Sequence, residues 1–231
     1  MFLMHVNIAI DGPAGAGKST IAKGVARELG ILYLDTGAMY RAMALKALRQ
    51  GISPLDEQAV IPLLAQTEIY AESIGGVQHT YLDGEDVSGL IRTQEIAQGA
   101  SDISAIPAVR IKLAEAQRAV AQANDVVLDG REIGSFVLPD APYKFYITAT
   151  VQARARRRLD ELKAKGQCPA DLPLAKMEEQ IARRDHNDST RAFAPLVRVP
   201  EAIYIDTTQM SEDEAVAAVL CHLPQRIGEG E

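Results

Sequence analysis

The chain has 231 residues, of which 47% are hydrophobic and 24% charged, and its formal net charge is −7. This balance is typical of a globular protein of one or two domains and excludes wholesale disorder or a collagen-like repeat. The acidic charge argues against unselective nucleic-acid coating, which relies on many cations. The two cysteines lie far apart, and neither a secretory leader nor an apolar run of about 18 residues is present. We therefore expect a soluble, cytoplasmic monomer without a nucleic-acid or membrane partner.

Short apolar runs alternate with helical patterns along most of the chain. Five runs are typical of buried strands, at residues 6–10, 31–34, 125–128, 143–147 and 202–205. Apolar residues at helical spacing follow the first run at Ile21, Val25 and Leu29, and they precede the third run at Val109, Leu113, Ala116 and Val120. The alternation predicts an α/β fold with a parallel sheet covered by helices.

Two segments interrupt this alternation. Residues 67–89 contain two β-rich runs around Gly75-Gly76, a pair typical of a hairpin turn, and we interpret them as an insertion in the sheet domain. Residues 152–191 are helical and basic, with ten Lys and Arg against seven Asp and Glu. Arg154, Arg157 and Arg158 are predicted to share a helical face that lacks carboxylates, and such a face is expected to bind an anion.

The strongest local motif is GPAGAGKS, which fills every position of G-x-x-x-x-G-K-[ST] between a predicted strand and a predicted helix. Its glycines let backbone N–H groups surround phosphate oxygens, and the helix dipole favours the same anion. Lys18 is expected to reach the β- and γ-phosphates as a catalytic residue, and the Ser19 hydroxyl to ligate Mg²⁺. We predict a loop that binds a nucleoside triphosphate and is formed by Gly12, Pro13, Ala14, Gly15, Ala16, Gly17, Lys18, Ser19 and Thr20.

A second candidate group closes the run at 125–128. Asp129 stands at the end of a predicted strand, where a carboxylate can hold Mg²⁺, so Ser19 and Asp129 are the predicted metal ligands. Arg131 follows at the carboxyl end of the sheet, where ligands of α/β folds bind. Transfer to a second phosphate fits this set of cations, because a nucleoside monophosphate is already ionised and needs charge cancellation and positioning rather than a base.

Two alternatives remain open at this point. A hydroxyl acceptor would need a general base, for which Asp35 and Glu132 are the candidates. A nucleotide-dependent switch protein is the other class, but GTPase switches carry an N-K-x-D motif that the sequence lacks.

Six blocks of the sequence extend the comparison beyond the phosphate loop: IDGPAGAGKST, LDTGAMYR, LDGEDVSGLIRTQEIA, VLDGREIG, PDAP and RDHNDSTRAFAPL. In order and spacing they resemble the bacterial cytidylate kinase family, from about residue 8 to about residue 206. The resemblance implies a P-loop NTPase-like parallel sheet flanked by helices, folded as a single unit over residues 1–231. Its expected parts are a core (about 1–66, 90–151 and 192–231), a nucleoside-monophosphate-binding insertion (about 67–89) and a helical lid (about 152–191).

The resemblance also implies roles for individual residues. Cytosine would be recognised by Thr36, Arg110, Glu132 and Arg191, and the sugar and neighbouring phosphate by Ser101, Arg184 and Asp188. The acceptor phosphate would be held by Arg41 and Arg131, and the donor phosphates covered by the lid arginines Arg157 and Arg158. Arg131, Arg157 and Arg158 join Lys18 as expected catalytic residues.

Three positions depart from the family pattern. Glu132 and Thr36 stand where an aspartate and a serine are common, and Asn187 stands where an arginine is often found. The implied activity is ATP- and Mg²⁺-dependent phosphorylation of CMP and dCMP in pyrimidine nucleotide metabolism. Because Glu132 and Thr36 are among the base-recognising residues, UMP or another nucleotide is the alternative acceptor.

Overall fold

A computed structural model describes residues 5–164, 166, 168–169 and 172–224. The strands are β1 (Asn7–Asp11), β2 (Leu32–Asp35), β3 (Ile69–Ile74), β4 (Val77–Leu82), β5 (Glu85–Asp86), β6 (Val126–Gly130), β7 (Tyr143–Thr148) and β8 (Ile203–Asp206). The helices are α1 (Lys18–Leu29), α2 (Thr36–Arg49), α3 (Glu57–Leu64), α4 (Gln94–Ile103), α5 (Pro107–Ala123), α6 (Val151–Ala164), α7 (Leu174–Thr190) and α8 (Glu212–Leu220).

The central sheet has five parallel strands in the order β2-β6-β1-β7-β8. Strand β1 lies in the middle and is buried on both faces. Ile8 and Ile10 pack in one cluster with residues of α1 and α8, whereas Ala9 packs in another with residues of α5. The α/β prediction is confirmed, and each of the five predicted strands is present with its ends displaced by at most two residues.

The insertion forms a separate antiparallel sheet in the order β3-β4-β5. Ile74 pairs with Val77 across Gly75 and Gly76, whose φ values are 60° and 79°. Two successive residues with positive φ form the turn that matches the twist of a hairpin, and glycine adopts this conformation without strain. The predicted hairpin is therefore confirmed. Ile69 and Leu82 anchor its base in a core cluster shared with α2, α4 and α5.

Helices α6 and α7 form the basic segment and pack on each other through a small cluster of their own, which includes Leu159, Met177 and Ile181. The predicted helical character of 152–191 is confirmed for residues 152–164 and 174–190, whereas the described residues between them and Arg191 are not helical. The prediction of a face without carboxylates is wrong, because Arg154 pairs with Asp185 of α7. Arg158 likewise pairs with Glu161, one turn away on α6. Lys165 and Asp171, which belong to the same basic segment, lie outside the described residues.

Helices α2, α3, α4 and α8 have no counterpart among the predicted elements. Helix α2 is buried on most sides, so apolar residues follow one another without a clear helical period. Within the described part of the chain, no helix combines the length and apolar character needed to cross a membrane.

Candidate functional site

The phosphate loop connects the end of β1 to the start of α1. Its glycines Gly12, Gly15 and Gly17 have φ values of 146°, 75° and 87°, a region that residues with side chains rarely adopt. A Cβ atom on Gly12 would lie 1.9 Å from the carbonyl oxygen of Ile147, so β7 leaves no room for another residue there. Helix α1 begins at Lys18, directly after the loop, and its amino end is available to an anion bound there.

Lys18 is buried at this loop, with 6% of its surface exposed. Its ammonium donates to the carbonyl oxygen of Pro13 at 2.7 Å. Burial, together with the positive charge of Arg131, lowers the pKa of Lys18 well below its usual value. The Lys18 ammonium has three N–H donors and no acceptor. An anion bound in the loop would accept hydrogen bonds from it and stabilise its charged form.

The two predicted metal ligands lie in contact. Ser19 Oγ donates to Asp129 Oδ2 at 2.7 Å, and the Tyr33 hydroxyl donates to Oδ1 of the same carboxylate at 3.0 Å. Burial and the nearby Asp35 carboxylate raise the pKa of Asp129. Among the described residues, no group of three or more His, Cys, Asp or Glu side chains could hold a metal ion. Two oxygen ligands beside a phosphate site nevertheless fit Mg²⁺, which takes most of its ligands from phosphates and water.

The structure brings together four of the predicted phosphate-binding arginines. Arg131 follows β6, and its Nε donates to Asp188 Oδ2 at 2.9 Å. Burial of Asp188 opposes its ionisation, but Arg131 and Arg184 hold its pKa below the ordinary value. Arg184 is also close enough to Arg131, Arg158 and Arg41 to be affected by their charges. Cations from four segments of the chain therefore converge at the carboxyl end of the sheet.

Glu132, with 4% of its surface exposed, lies beside this group and contacts donors from three segments. Arg110 pairs with Oε1, Arg191 Nη2 lies 3.1 Å from Oε2, and the Tyr40 hydroxyl donates to Oε1 at 3.0 Å. Arg110 is 1% exposed and also donates to the carbonyl of Ser104 at 2.8 Å, but its Nε has no acceptor among the described residues. A carboxylate has about four acceptor positions, so Glu132 can still accept from a further donor.

Thr36 and Ser101 were predicted beside the same ligand. The Thr36 hydroxyl donates to the carbonyl of Asp129 at 2.7 Å, which leaves it free to accept a hydrogen bond but not to donate a second one. Ser101 is half-buried on α4, three residues before Ser104, whose carbonyl binds Arg110. Thr36 therefore joins α2 to β6, and Ser101 lies on the segment that leads to Arg110.

Arg41 is held by Asp35 and shares this partner with a second arginine. Arg41 Nη2 lies 2.8 Å and Arg92 Nη1 3.2 Å from Asp35 Oδ2. Burial opposes ionisation of Asp35, yet the two guanidinium groups hold its pKa below the ordinary value. Gln78 of β4 accepts from the Asp35 backbone N–H at 2.6 Å and donates to the Asp35 carbonyl at 3.3 Å. The insertion is thus attached to the start of α2, where Arg41 lies.

The two predicted lid arginines have different surroundings. Arg158 pairs with Glu161 and lies near Arg184, in the group of converging cations. Arg157 instead donates to the hydroxyl and carbonyl oxygens of Thr207, at 3.1 and 2.5 Å, in the loop after β8. The structure therefore does not bring Arg157 and Arg158 together, and their catalytic roles stay predictions.

Arg154 is a connecting residue that the sequence patterns did not identify as such. It is 4% exposed and donates to the carbonyls of Ala14 and Ala149, at 3.0 and 2.8 Å, while its Nη2 lies 2.7 Å from Asp185 Oδ2. It therefore joins the phosphate loop to helices α6 and α7. Nothing in the sequence identifies the buried carbonyls that it meets, so spacing alone suggested only an anion-binding face.

Tyr40 and Asp11 also escaped sequence reasoning. Tyr40 supports Glu132, and its only signal was its place in the block LDTGAMYR. Asp11 ends β1 and accepts from the backbone N–H groups of Ile133 and Gly134. Its position after an apolar run was its only signal, and it did not set Asp11 apart, because Asp35 and Asp206 end their strands in the same way.

The model of the cytidylate kinase family matches residues 8–225. The cytidylate kinase of Symbiobacterium thermophilum is 51% identical over 93% of this chain and 94% of its own length. Those of Caldicellulosiruptor bescii and Mycobacterium leprae are each 47% identical, over 94% and 98% of this chain and 95% and 99% of their own lengths. The chain therefore belongs to the cytidylate kinase family.

Proposed function

We propose that this enzyme transfers the γ-phosphoryl group of ATP to the phosphate of CMP, giving ADP and CDP, and that dCMP is accepted in the same way. The observation that carries the proposal is the position of two consecutive residues. Arg131 lies among the cations beside the phosphate loop, and Glu132 lies in the buried group with Arg110 and Arg191. A ligand with a phosphate at one end and a polar heterocycle at the other fits this arrangement.

A cavity at the loop after β8 is the candidate site for the donor nucleoside. This cavity of about 470 Å³ is lined by Thr150, Asp206, Thr208, Gln209, Met210 and Glu214. The Thr207 hydroxyl lies in the same loop and donates to the carbonyl of Ala16 at 3.1 Å, so this cavity adjoins the phosphate loop. We assign it to the base and sugar of ATP, with Arg157 close by on Thr207. Its volume is within the range of small-molecule sites.

The transfer step needs no general base. An oxygen of the CMP phosphate forms a bond to the γ-phosphorus while the bond to the β,γ-bridging oxygen breaks, and that oxygen leaves with the electron pair as part of ADP. Lys18, Arg131 and Arg184 would offset the repulsion between the two anions and place them in line. Bound Mg²⁺ would add charge neutralisation on the donor phosphates, and Ser19 and Asp129 are the residues that would hold it.

The surroundings of the two candidate bases disfavour a hydroxyl acceptor. Asp35 is held by Arg41 and Arg92, which lower its pKa and make it a weak base. Glu132 already accepts from Arg110, Arg191 and Tyr40. A base for a neutral hydroxyl should have a pKa near the working pH. Asp35 does not meet that need. Glu132 is paired with two guanidinium groups, and a phosphate acceptor requires no base.

Base selectivity would depend on Glu132 and its neighbours. The amino group of cytosine is a donor, and Glu132 retains acceptor capacity for it. The unpaired Nε of Arg110 is a donor available to an acceptor on the same base. Uracil carries a carbonyl in place of the amino group and would place an oxygen against the Glu132 carboxylate. We therefore propose a preference for CMP over UMP; monomeric state, cytoplasmic location and absence of nucleic-acid partners stay predictions.

The test is ADP formation from ATP and Mg²⁺ with CMP, dCMP, UMP, AMP or GMP added singly. We expect turnover with CMP and dCMP and much less with the other nucleotides. Lys18→Ala should abolish the signal, and Arg27→Ala, which removes an exposed cation of the same helix, serves as the matched control. A preference for UMP would contradict the assignment of Glu132 while keeping the transfer chemistry. ATP consumption that no acceptor increases would contradict the kinase function and favour a nucleotide-binding switch.

A further inference from the structure

The carboxylate of Asp11 joins two parts of the site that are far apart in the sequence. Asp11 is the last residue of β1, and the phosphate loop starts at the next residue. Its Oδ1 accepts from the backbone N–H of Ile133 at 2.7 Å, across 122 residues of sequence, and its Oδ2 accepts from that of Gly134 at 2.7 Å. One side chain thus holds the segment that begins directly after Arg131 and Glu132.

Arg131 and Glu132 form a two-residue connection between β6 and the helical turn Ile133–Val137. The first end of this connection is fixed by the sheet, because Gly130 pairs with the backbone of Asp11 in the parallel register. The second end is fixed by the Asp11 side chain through the first two N–H groups of the turn. Both ends of the connection that carries Arg131 and Glu132 therefore depend on the residue at the entrance to the phosphate loop.

The carboxylate is held in unfavourable surroundings. Asp11 is 6% exposed, and burial raises its pKa to about 6 against the opposing effect of the two N–H donors. Glu132 adds to the rise and Lys18 opposes it. A neutral amide or hydroxyl would be easier to bury, but only a carboxylate offers two equivalent charged oxygens to two adjacent N–H donors. The space is also closed, since a Cβ on Gly134 would lie 3.3 Å from Asp11 Oδ2.

From these contacts we infer that Asp11 is a positioning residue for phosphoryl transfer, which sets the place of Arg131 and Glu132 relative to the phosphate loop. The inference rests on the function proposed above. Asp11 acts through backbone N–H groups rather than by touching a nucleotide. Because displacements of about an ångström decide whether bound groups react, loss of one anchor should impair the acceptor more than ATP. The phosphates of ATP are held by the backbone of the loop itself.

The test replaces Asp11 by Asn, which keeps the size of the side chain. The Asn carbonyl can still accept from one of the two N–H groups, but its NH₂ group opposes the other. We expect the KM for CMP to rise about tenfold or more, as the loss of a charge-assisted hydrogen bond implies. The KM for ATP should stay within about twofold, because the loop backbone is unchanged. The ratio of kcat/KM for CMP to that for UMP should fall, since Glu132 lies in the released connection.

Asp125→Asn is the matched control. Asp125 Oδ1 accepts from the backbone N–H of Val6 at 2.7 Å, at the opposite end of β1 from the phosphate loop. The same substitution there should leave the KM values for CMP and ATP unchanged. Because KM does not depend on the concentration of active enzyme, a variant that folds in part still gives a usable value. Should Asp11→Asn give no folded protein, Asp11→Ser is measured in the same way, since its hydroxyl accepts from one N–H only.

The outcomes separate the inference from the function on which it rests. Wild-type enzyme that does not phosphorylate CMP would overturn the proposed function, and the inference with it. If the wild type is active, and Asp11→Asn changes none of these quantities or raises the KM for CMP and for ATP equally, then Asp11 is merely structural and the inference is overturned. A rise confined to CMP, with a lower CMP-to-UMP ratio, supports it.

Discussion

Replacing Glu132 by Gln keeps the length of this side chain and removes its charge. In the wild type the carboxylate faces two buried guanidinium groups, those of Arg110 and Arg191, and the hydroxyl of Tyr40. The amide oxygen of Gln can keep one or two of these hydrogen bonds but compensates neither positive charge. The substitution should therefore change both the stability of the fold and the choice of acceptor base.

The structure allows the size of the stability effect to be stated. Removing one partner of a buried ion pair costs about 3–5 kcal/mol, because the other charge is left buried without compensation. Arg110 is 1% exposed and belongs to this class, whereas Arg191 keeps the Ala194 carbonyl at 2.8 Å and Asp188 Oδ1 at 3.6 Å. We expect the lower end of the range, about 3 kcal/mol. For a chain of this size, that corresponds to a fall in Tm of about 6–12 °C.

The effect on selectivity follows from hydrogen-bond chemistry. The amide NH₂ of Gln can donate to the carbonyl that uracil carries in place of the cytosine amino group. One such polar mismatch changes discrimination by about 1–3 kcal/mol, so the ratio of kcat/KM for CMP to that for UMP should fall by at least about fivefold. Glu132→Gln should therefore lose activity toward CMP and gain relative activity toward UMP.

Urea denaturation and coupled ADP assays measure the two effects on the same preparation. Glu85→Gln is the matched control, because Glu85 pairs with Arg49 at 2.5 and 2.9 Å on an exposed surface and should change neither quantity. Unchanged stability of Glu132→Gln would refute the argument that Glu132 compensates Arg110. Reduced stability with an unchanged CMP-to-UMP ratio would instead show that Glu132 supports the fold without contacting the base.

Three further predictions concern catalysis, metal binding and pH. Lys18→Ala and Arg131→Ala should each lower kcat by about a hundredfold or more, because each removes a cation aimed at the transferred group. Circular dichroism should show that both variants keep the fold. Wild-type turnover in either variant would contradict the role of the replaced residue. Asp129→Asn should raise the Mg²⁺ concentration for half-maximal activity about tenfold or more. Mn²⁺ binding, measured by electron paramagnetic resonance, should weaken to a similar extent. Unchanged Mn²⁺ affinity would exclude Asp129 as a ligand. Burial raises the pKa of Asp11 from 3.8 to about 6. The native state therefore keeps the Asp11 proton to a higher pH than the unfolded chain does. As the pH rises from about 4 to about 6, ionisation of Asp11 should lower the free energy of unfolding by roughly 3 kcal/mol. Compared with the wild type, Asp11→Asn should therefore gain relative stability across that window in urea titrations, and a constant difference would contradict the raised pKa.

Local sequence patterns were sufficient to predict the central sheet, the hairpin turn and the phosphate loop. The five central strands are short apolar runs. In β1 and β6, which are buried on both faces, this burial is the physical reason why apolar residues follow one another. The turn at Gly75-Gly76 and the phosphate loop were equally legible, because both need backbone conformations that glycine adopts without strain. Helix α2 escaped prediction for the opposite reason, since it is buried on most sides and has no polar face to reveal its period.

The site was predictable only in part. Composition and motif spacing pointed to Lys18, Ser19 and Asp129, since a strand, a glycine-rich loop and a helix must follow one another to bind phosphate. The sequence also identified the arginines as a class, but not their partners. Arg154 was grouped with an anion-binding face, whereas it is engaged by Asp185 and by the carbonyls of Ala14 and Ala149. Such partners come from distant segments, and no local pattern reports them.

The sequence by itself therefore determined the α/β class, the phosphate loop and the family, because these depend on local periodicity, on glycine conformations and on contiguous motifs. The tertiary structure decided which charges face each other. It placed Arg110 against Glu132, Arg131 against Asp188, and Asp11 against the N–H groups of the turn that follows Glu132. These contacts join residues far apart in the chain, and they form only when parallel strands bring their carboxyl ends to one edge of the sheet.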